Sequence, residues 1–91
     1  MTSEHARLRM QQRGIPPLVL TWLLDFGQKR HDHKGGVVHY FDKRSRRDLE
    51  RSVGRGIVRR LSEYMDSYAV SSVQDDVVVT VGHRYKRLSD G

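Results

Sequence analysis

The chain of 91 residues contains no cysteine, so it can form neither a disulfide nor a zinc site built on thiolates. It also lacks an apolar run long enough to cross a bilayer, and its N-terminus lacks the apolar stretch of a signal peptide. Only 36% of the residues are hydrophobic and 8% are aromatic, which permits one small domain with a thin core. We therefore expect a cytoplasmic domain with no membrane partner, whose modest stability a homodimer or another chain could raise.

The excess of basic residues is concentrated in one stretch. Residues 43–60 hold eight basic and two acidic residues, so this stretch accounts for the whole net charge of +6. Charge concentrated in about a fifth of a chain favours an anionic polymer as the partner, and nucleic acid is the obvious one. The alternative is a solvated helix face that keeps the protein in solution.

Two helices are predicted at the N-terminus. Ser3 is a natural N-cap for the first helix, and Gly14 is placed to end it. The second helix starts at the Pro16-Pro17 pair and ends at Gly27. Because this second helix is apolar on most sides, we expect it to be buried, with Trp22 in the core rather than on a stacking surface.

A Gly-Gly pair at 35–36 predicts a hairpin with a two-residue turn. In that register Asp32 lies opposite His39. The histidines His31 and His33 then point to one face of the hairpin and His39 points to the other. Since the three imidazoles do not converge, we predict no metal site here.

The last predicted hairpin joins a strand over residues 68–73 to a strand that begins at Val77. Five β-branched residues in a row, 77–81, suit a pleated and packed surface. If the strand is unbroken, one face carries Val77, Val79, Val81, His83, Tyr85 and Arg87. That face could be the wall of a site for a phosphate-bearing ligand, or it could belong to a core strand with a basic tail.

Between the hairpins, residues 45–66 are predicted to be helical, with Ser45 as the N-cap and a break or kink at Gly54 and Gly56. A core-facing stripe recurs every fourth residue, at Leu49, Val53, Ile57, Leu61 and Met65. The opposite side carries an arginine ridge, our candidate for binding nucleic acid: Arg44, Arg47, Arg51, Arg55 and Arg59. The predicted fold is α+β, with two N-terminal helices and two β-hairpins that form one antiparallel sheet, and with this basic amphipathic segment between the hairpins.

Two motifs resemble those of a known family. The first is His5-Ala6-x-x-Arg9-Met10-x-x-Arg13-Gly14-Ile15, and the second is Thr80-Val81-Gly82-His83-Arg84-x-Lys86-Arg87. They resemble a bacterial family of small domains of unknown function that is grouped with the RelE-like and BrnT-like toxins of toxin–antitoxin pairs. The resemblance covers nearly the whole chain and implies a single RelE-like domain over residues 1–91.

The resemblance to the toxins implies cleavage of RNA without a metal or a cofactor, either on free RNA or on the ribosome. It also implies an antitoxin protein as a partner. In such cleavage a 2′-hydroxyl attacks the neighbouring phosphate. The reaction needs a proton acceptor, a proton donor to the leaving oxygen, and cations beside the charged intermediate.

Six residues are candidates for that catalytic site: His83, Arg84, Tyr85, Arg87, His5 and Arg9. His83 is the candidate acid or base, because a histidine titrates near neutrality. Arg84 and Arg87 would stabilise the charge, and Tyr85 would donate a proton or stack on a base. The two residues of the first helix either close the same cleft or are structural, with His5 buried and hydrogen-bonded to the backbone.

A non-catalytic function is the alternative. In that case the domain binds RNA, DNA or a protein, and the arginine ridge together with Lys86 carries the affinity for a phosphate backbone. A third hypothesis is an obligate subunit of a larger complex, which the thin core and the apolar second helix would allow.

Overall fold

The elements of the chain follow each other in the predicted order. The computed structural model describes residues 1–84. In this part the chain forms helices α1 (Glu4–Arg13) and α2 (Pro17–Phe26), strands β1 (Gln28–His31) and β2 (Gly36–Tyr40), helices α3 (Lys43–Val53) and α4 (Arg55–Arg60), a 3-10 helix (Ser62–Tyr64), and strands β3 (Ser67–Ser72) and β4 (Val78–His83). The predicted α+β class is confirmed.

The strands form one sheet in the order β1-β2-β3-β4, and each neighbouring pair is antiparallel. The two predicted hairpins, β1-β2 and β3-β4, are therefore joined edge to edge through β2 and β3. The helical segment α3-α4 connects these two central strands, as predicted.

The two N-terminal helices have the predicted boundaries. The Ser3 side chain accepts a hydrogen bond of 3.1 Å from the N–H of Ala6, and Gly14 ends α1 with a left-handed conformation. The helix α2 starts at the predicted proline pair and buries Trp22 in the core, which confirms its assignment. Within residues 1–84, no helix is both long enough and apolar enough to cross a membrane.

The predicted register of the first hairpin is wrong. His31 pairs with Val37 and Lys29 pairs with His39, and a four-residue loop, 32–35, connects the strands. The loop is held by Asp32, whose carboxylate accepts N–H groups of Lys34 and Gly36 at 2.7 and 2.8 Å. These two hydrogen bonds lower the pKa of Asp32 below its ordinary value. The Asp32 side chain therefore sets this turn together with the Gly-Gly pair, because Gly35 has φ 87° and a Cβ at Gly36 would collide with the Asp32 carboxylate.

The start of α3 also differs from the prediction. Asp42, not Ser45, is the N-cap, and its carboxylate accepts the N–H of Ser45 at 2.8 Å. In return, the hydroxyl of Ser45 accepts the N–H of Asp42 at 2.8 Å, which completes a capping box with the two residue types exchanged. The helix therefore begins at Lys43, within the basic stretch.

The predicted break in the basic segment is present at Gly54. This residue has φ 98° and ψ 146°, and it separates α3 from α4. The break changes which side of the segment faces the core, so that Val58 is buried and Ile57 is exposed. The predicted apolar stripe is thus correct for Leu49 and Met65 but wrong at Ile57, because a spacing of four residues does not continue across the break.

A bulge interrupts the alternation of β4. Val70 pairs with Thr80, whereas the next residue, Ser71, pairs with Val78, so Val79 has no cross-strand partner. Val79 is exposed while Val78 is buried. The prediction that Val79 shares a face with Val81 and His83 is therefore wrong.

The sheet has two different faces. The face that packs against the helices, here called the helix-side face, carries its buried side chains: His39, Ser67, Ala69, Ser71 and Val81. Its opposite, here called the open face, carries half-buried side chains at alternating positions: Val38, Tyr40, Tyr68, Val70 and Thr80. The end of β4 brings His83 to the helix-side face and Arg84 to the open face.

Candidate functional site

His83 lies at the end of β4 and contacts three other parts of the chain. Its Nδ1 is 3.0 Å from a carboxylate oxygen of Asp66, the residue before β3. Its Nε2 is 3.5 Å from the carbonyl oxygen of Arg13, the last residue of α1. The ring also stacks at 6.4 Å from the ring of Tyr64, with the planes 24° apart. The His83 side chain is 21% exposed, so these contacts leave part of it open to solvent.

The contacts of His83 allow a chemical role and a structural role. A carboxylate on one ring nitrogen orients an imidazole for proton transfer at the other nitrogen. Here the second nitrogen faces the Arg13 carbonyl, so the same ring also connects the end of α1 to the sheet. The backbone N–H of Arg84 donates to the Asp66 carbonyl at 2.7 Å and strengthens this junction.

Arg84 points away from His83. Its guanidinium lies over the ring of Tyr40, 5.4 Å from the ring centroid, and its Nη2 donates to the carbonyl oxygen of Phe41 at 2.9 Å. Its Nε is buried and has no hydrogen-bond partner among the described residues. His83 and Arg84 therefore lie on opposite faces of the sheet, and the structure does not bring together these two predicted catalytic residues.

The two candidates on α1, His5 and Arg9, lie at different distances from His83 along the helix. The helix runs parallel to β4, because its N-terminal end is bonded to Val78 while its last carbonyl faces His83. His5 is exposed in the first turn, about 12 Å along the helix axis from Arg13. Arg9 is half-buried and one turn before Arg13. The alternative of a buried His5 is wrong, and His5 is not placed beside His83.

The remaining candidates near the C-terminus, Tyr85, Lys86 and Arg87, lie outside the described residues.

The arginine ridge lines a surface depression along α3. One part, of about 400 Å³, is lined by Arg47, Glu50, Arg51 and Arg55. A second part, of about 530 Å³, is lined by Lys43, Arg44, Arg47, Asp48 and Arg51. Because the two parts share Arg47 and Arg51, we treat them as one feature, the α3 groove. Of the predicted ridge, only Arg59, exposed on α4, is not among these lining residues.

The acidic side chains of the α3 groove neutralise its arginines only weakly. Asp48 is 3.7 Å from Arg51, and Glu50 is 3.9 Å from Arg55. The two arginine side chains are 79% and 83% exposed, and ion pairs this exposed contribute little because water and salt screen them. The positive charge of the groove therefore remains available to an external anion.

A cleft connects the α3 groove to the end of the sheet. It measures about 520 Å³ and lies between the first turns of α3 and Arg84. Its lining residues are Phe41, Asp42, Lys43, Arg46, Arg47, Glu50, Met65 and Arg84. Arg47 lines this cleft and both parts of the groove, so the three depressions adjoin one another at its side chain.

The first turns of α3 concentrate positive charge where the helix dipole is already positive. Four of the first five residues, Lys43, Arg44, Arg46 and Arg47, are basic, and the first turn contains no acidic residue. Cations at a helix N-terminus are unfavourable, whereas an anion there is stabilising. A bound phosphate would therefore relieve repulsion among these side chains.

The chain matches no known family model, no curated protein and no solved structure. The resemblance to RelE-like domains therefore stays a prediction, and so do the roles that it implies.

Some residues around His83 and along the cleft were not among the predicted site residues. Asp66 and Tyr64 contact His83 from a distance in sequence, and no local spacing marks them as its partners. Lys43 and Arg46 line the cleft beside Arg84, and their signal was the charge count of residues 43–60. Within residues 1–84, no three His, Asp or Glu side chains lie close enough together to hold a metal ion.

Proposed function

We propose that this domain binds RNA through the α3 groove. The observation that carries the proposal is the position of Arg47, which lines both parts of the groove and the cleft. Depressions bordered by basic side chains of α3, by Arg55 of α4 and by Arg84 therefore adjoin one another. Phosphate groups spaced along a nucleic acid can contact such a surface at several points. The resemblance to RNA-cleaving toxins supports RNA rather than DNA as the polymer.

The charges of the surface support binding of a polyanion over a purely solvating role. A helix face that only keeps a protein in solution has no need to place cations against its own dipole. Here the capping box of Asp42 and Ser45 fixes the start of α3 so that Lys43 and Arg47 border the same cleft as Arg84. This arrangement has a cost that a bound phosphate backbone would offset.

The test compares a double variant, in which two charges of the α3 groove are reversed, with a control variant in which one charge outside the groove is reversed. We expect Arg47→Glu combined with Arg51→Glu to weaken RNA binding by tenfold or more, and to lower the dependence of log affinity on log salt by about 1 to 2. The control is Arg7→Glu, which reverses an exposed charge on α1. Fluorescence anisotropy at several salt concentrations gives both quantities. Equal affinities for the double variant and for the control would refute the proposal.

A second candidate is a toxin-like ribonuclease that works without a metal, and the contact between Asp66 and His83 favours it. A carboxylate on Nδ1 gives the imidazole the arrangement used for general acid–base catalysis. Arg84 lies on the other face of the sheet, so the cation that steadies the phosphate would have to be another residue.

Growth after induction tests the ribonuclease. We expect the wild type to arrest bacterial growth, and folded His83→Ala and Asp66→Asn variants to relieve the arrest. This assay includes the ribosome, on which such an enzyme can depend. Normal growth with abundant folded wild-type protein would eliminate the toxin hypothesis and leave the binding function in place.

A further inference from the structure

The open face of the sheet presents planar side chains next to the basic cleft. Tyr40 and Tyr68 are direct cross-strand neighbours on β2 and β3, and Tyr68 lies opposite Gly82 on β4. The guanidinium of Arg84 lies over the ring of Tyr40. Two phenol rings and one guanidinium plane therefore stand together at the end of the sheet.

Gly82 leaves room for the ring of Tyr68. A Cβ atom at this position would lie 3.1 to 3.3 Å from three atoms of the Tyr68 ring and hydroxyl. The absence of a side chain lets the phenol end of Tyr68 lie over the β4 backbone. Both tyrosines are half-buried, and neither belongs to the hydrophobic core or to the residues packed against it. Their rings are thus held by the sheet and remain partly accessible.

We infer that the open face selects single-stranded RNA by stacking its bases on Tyr68 and on the Arg84–Tyr40 pair, while the backbone lies in the α3 groove. This inference rests on the proposed function. The link between the two surfaces is Arg84, which lines the cleft that reaches Arg47 and also covers the Tyr40 ring. A strand that runs from the α3 groove through the cleft to the open face contacts the cations first and then the planar side chains.

The chemistry of the ligand follows from that sequence of groups. Unpaired bases stack on tyrosine rings and on guanidinium planes, and such stacking tolerates any base because each has a flat face. A duplex keeps its bases inside the stack and offers only phosphates to this surface. Single strands should therefore bind more tightly than duplexes of equal length.

The first experiment uses the unmodified protein and three ligands of about ten nucleotides, a length within the range that one small domain covers. They are a single-stranded RNA, the same strand paired with its complement, and an abasic strand that keeps the phosphates and lacks the bases. We expect the single strand to bind about tenfold more tightly than the abasic strand and more tightly than the duplex. Equal binding of all three, with a steep salt dependence, would overturn this inference and leave the proposed function standing. No binding of any ligand would overturn both.

The second experiment uses a matched pair of variants. We expect Tyr68→Leu to lower affinity for the single strand by about tenfold and to leave affinity for the abasic strand unchanged. Tyr68→Phe keeps the ring and should bind as the wild type does. A Tyr68→Leu protein that melts cooperatively and still prefers the single strand to the abasic strand as strongly as the wild type would contradict the role of this ring. If Tyr68→Leu does not fold, the abasic comparison on the unmodified protein decides alone.

Discussion

The ring of His83 bridges Asp66 and the last carbonyl of α1, with its Nδ1 3.0 Å from the Asp66 carboxylate and its Nε2 3.5 Å from the carbonyl oxygen of Arg13. Residues far apart in sequence meet at this point, because Arg13 and His83 are 70 positions apart. The ring therefore holds the first helix, the start of β3 and the end of β4 together. Any test of catalysis at His83 has to separate chemistry from this structural connection.

Stability measurements on two variants provide that separation. We expect His83→Ala to lower the free energy of unfolding by about 1 to 2 kcal/mol, because it removes both hydrogen bonds and the stacking on Tyr64. Asp66→Asn should cost less than about 1 kcal/mol, because the carboxylate is about half exposed and an amide oxygen can still accept a hydrogen bond. Urea unfolding at neutral pH measures both. A His83→Ala protein as stable as the wild type would show that the bridge contributes nothing to folding.

The buried His39 makes stability depend on pH. Burial lowers its pKa below the ordinary value, and the nearby Lys29 lowers it further, against a weaker opposite effect of Asp76. The Nε2 of His39 bonds the Ser71 hydroxyl at 2.8 Å, while its Nδ1 is buried without a partner in the described part of the chain. The folded state therefore holds the neutral ring, which an added proton would destabilise.

The sign of this pH effect follows from proton binding. Above about pH 6.5 both folded and unfolded chains carry a neutral His39, so the residue has no effect on the pH dependence. Below that pH the unfolded chain binds the proton first, so the free energy of unfolding falls as the pH falls toward the lower, folded-state pKa. We expect urea midpoints of the wild type to decrease more between about pH 8 and about pH 5 than those of His39→Gln. Parallel curves for the two proteins would contradict this assignment.

Two glycines of the basic segment give a matched pair of substitutions. Gly54 has φ 98°, a conformation that is strained for any residue with a side chain, whereas Gly56 has no positive φ and open space around its Cβ position in α4. We expect Gly54→Ala to destabilise the protein by about 1 to 3 kcal/mol. Gly56→Ala should instead be neutral or stabilise it by up to about 1 kcal/mol. Thermal melts of the two variants measure the difference, and equal melting temperatures would mean that α3 and α4 do not require the break.

The ends of the first helix could be predicted from local sequence signals, whereas the register of the first hairpin and the bulge in β4 could not. Ser3 and Gly14 define the ends of α1 through hydrogen bonds within a few residues, so the sequence alone identifies them. The Gly-Gly pair indicates a turn but not its length, which depends on the side-chain hydrogen bonds of Asp32. The bulge at Val79 has no signal, since five consecutive β-branched residues carry no alternation.

In the candidate site, too, the features that depend on local sequence could be predicted, and those that depend on contacts between distant residues could not. The basic stretch and its arginine ridge were predictable from composition and helical spacing, and the structure places four of those arginines along one groove. The separation of His83 from Arg84 follows from strand alternation, which the sequence does contain. The partners of each residue, Asp66 for His83 and Tyr40 for Arg84, depend on how strands from different parts of the chain pair, which spacing alone does not specify.

Asp42 holds the start of the basic helix in two ways, and substitutions can separate them. Its carboxylate accepts the N–H of Ser45, and its negative charge beside the N-terminus of α3 offsets the cations of the first turns. Burial alone would raise its pKa, but hydrogen bonds from Ser45 and Gln28 outweigh this and lower it. Its contribution is therefore present above about pH 4 and is lost at lower pH.

We expect Asp42→Ala to lower the free energy of unfolding by about 1 to 2 kcal/mol, because it removes the cap and the charge together. Asp42→Asn keeps an oxygen that can accept the Ser45 N–H, so its cost should be about 0.5 kcal/mol and should shrink as salt is added. Urea unfolding at low and high salt distinguishes the two effects. A cost of Asp42→Asn that does not change with salt would mean that the carboxylate acts only as a hydrogen-bond acceptor, and that the cations Lys43 and Arg44 do not depend on it. In that case the repulsion that we expect a bound phosphate to relieve would be too small to support RNA binding at the start of α3.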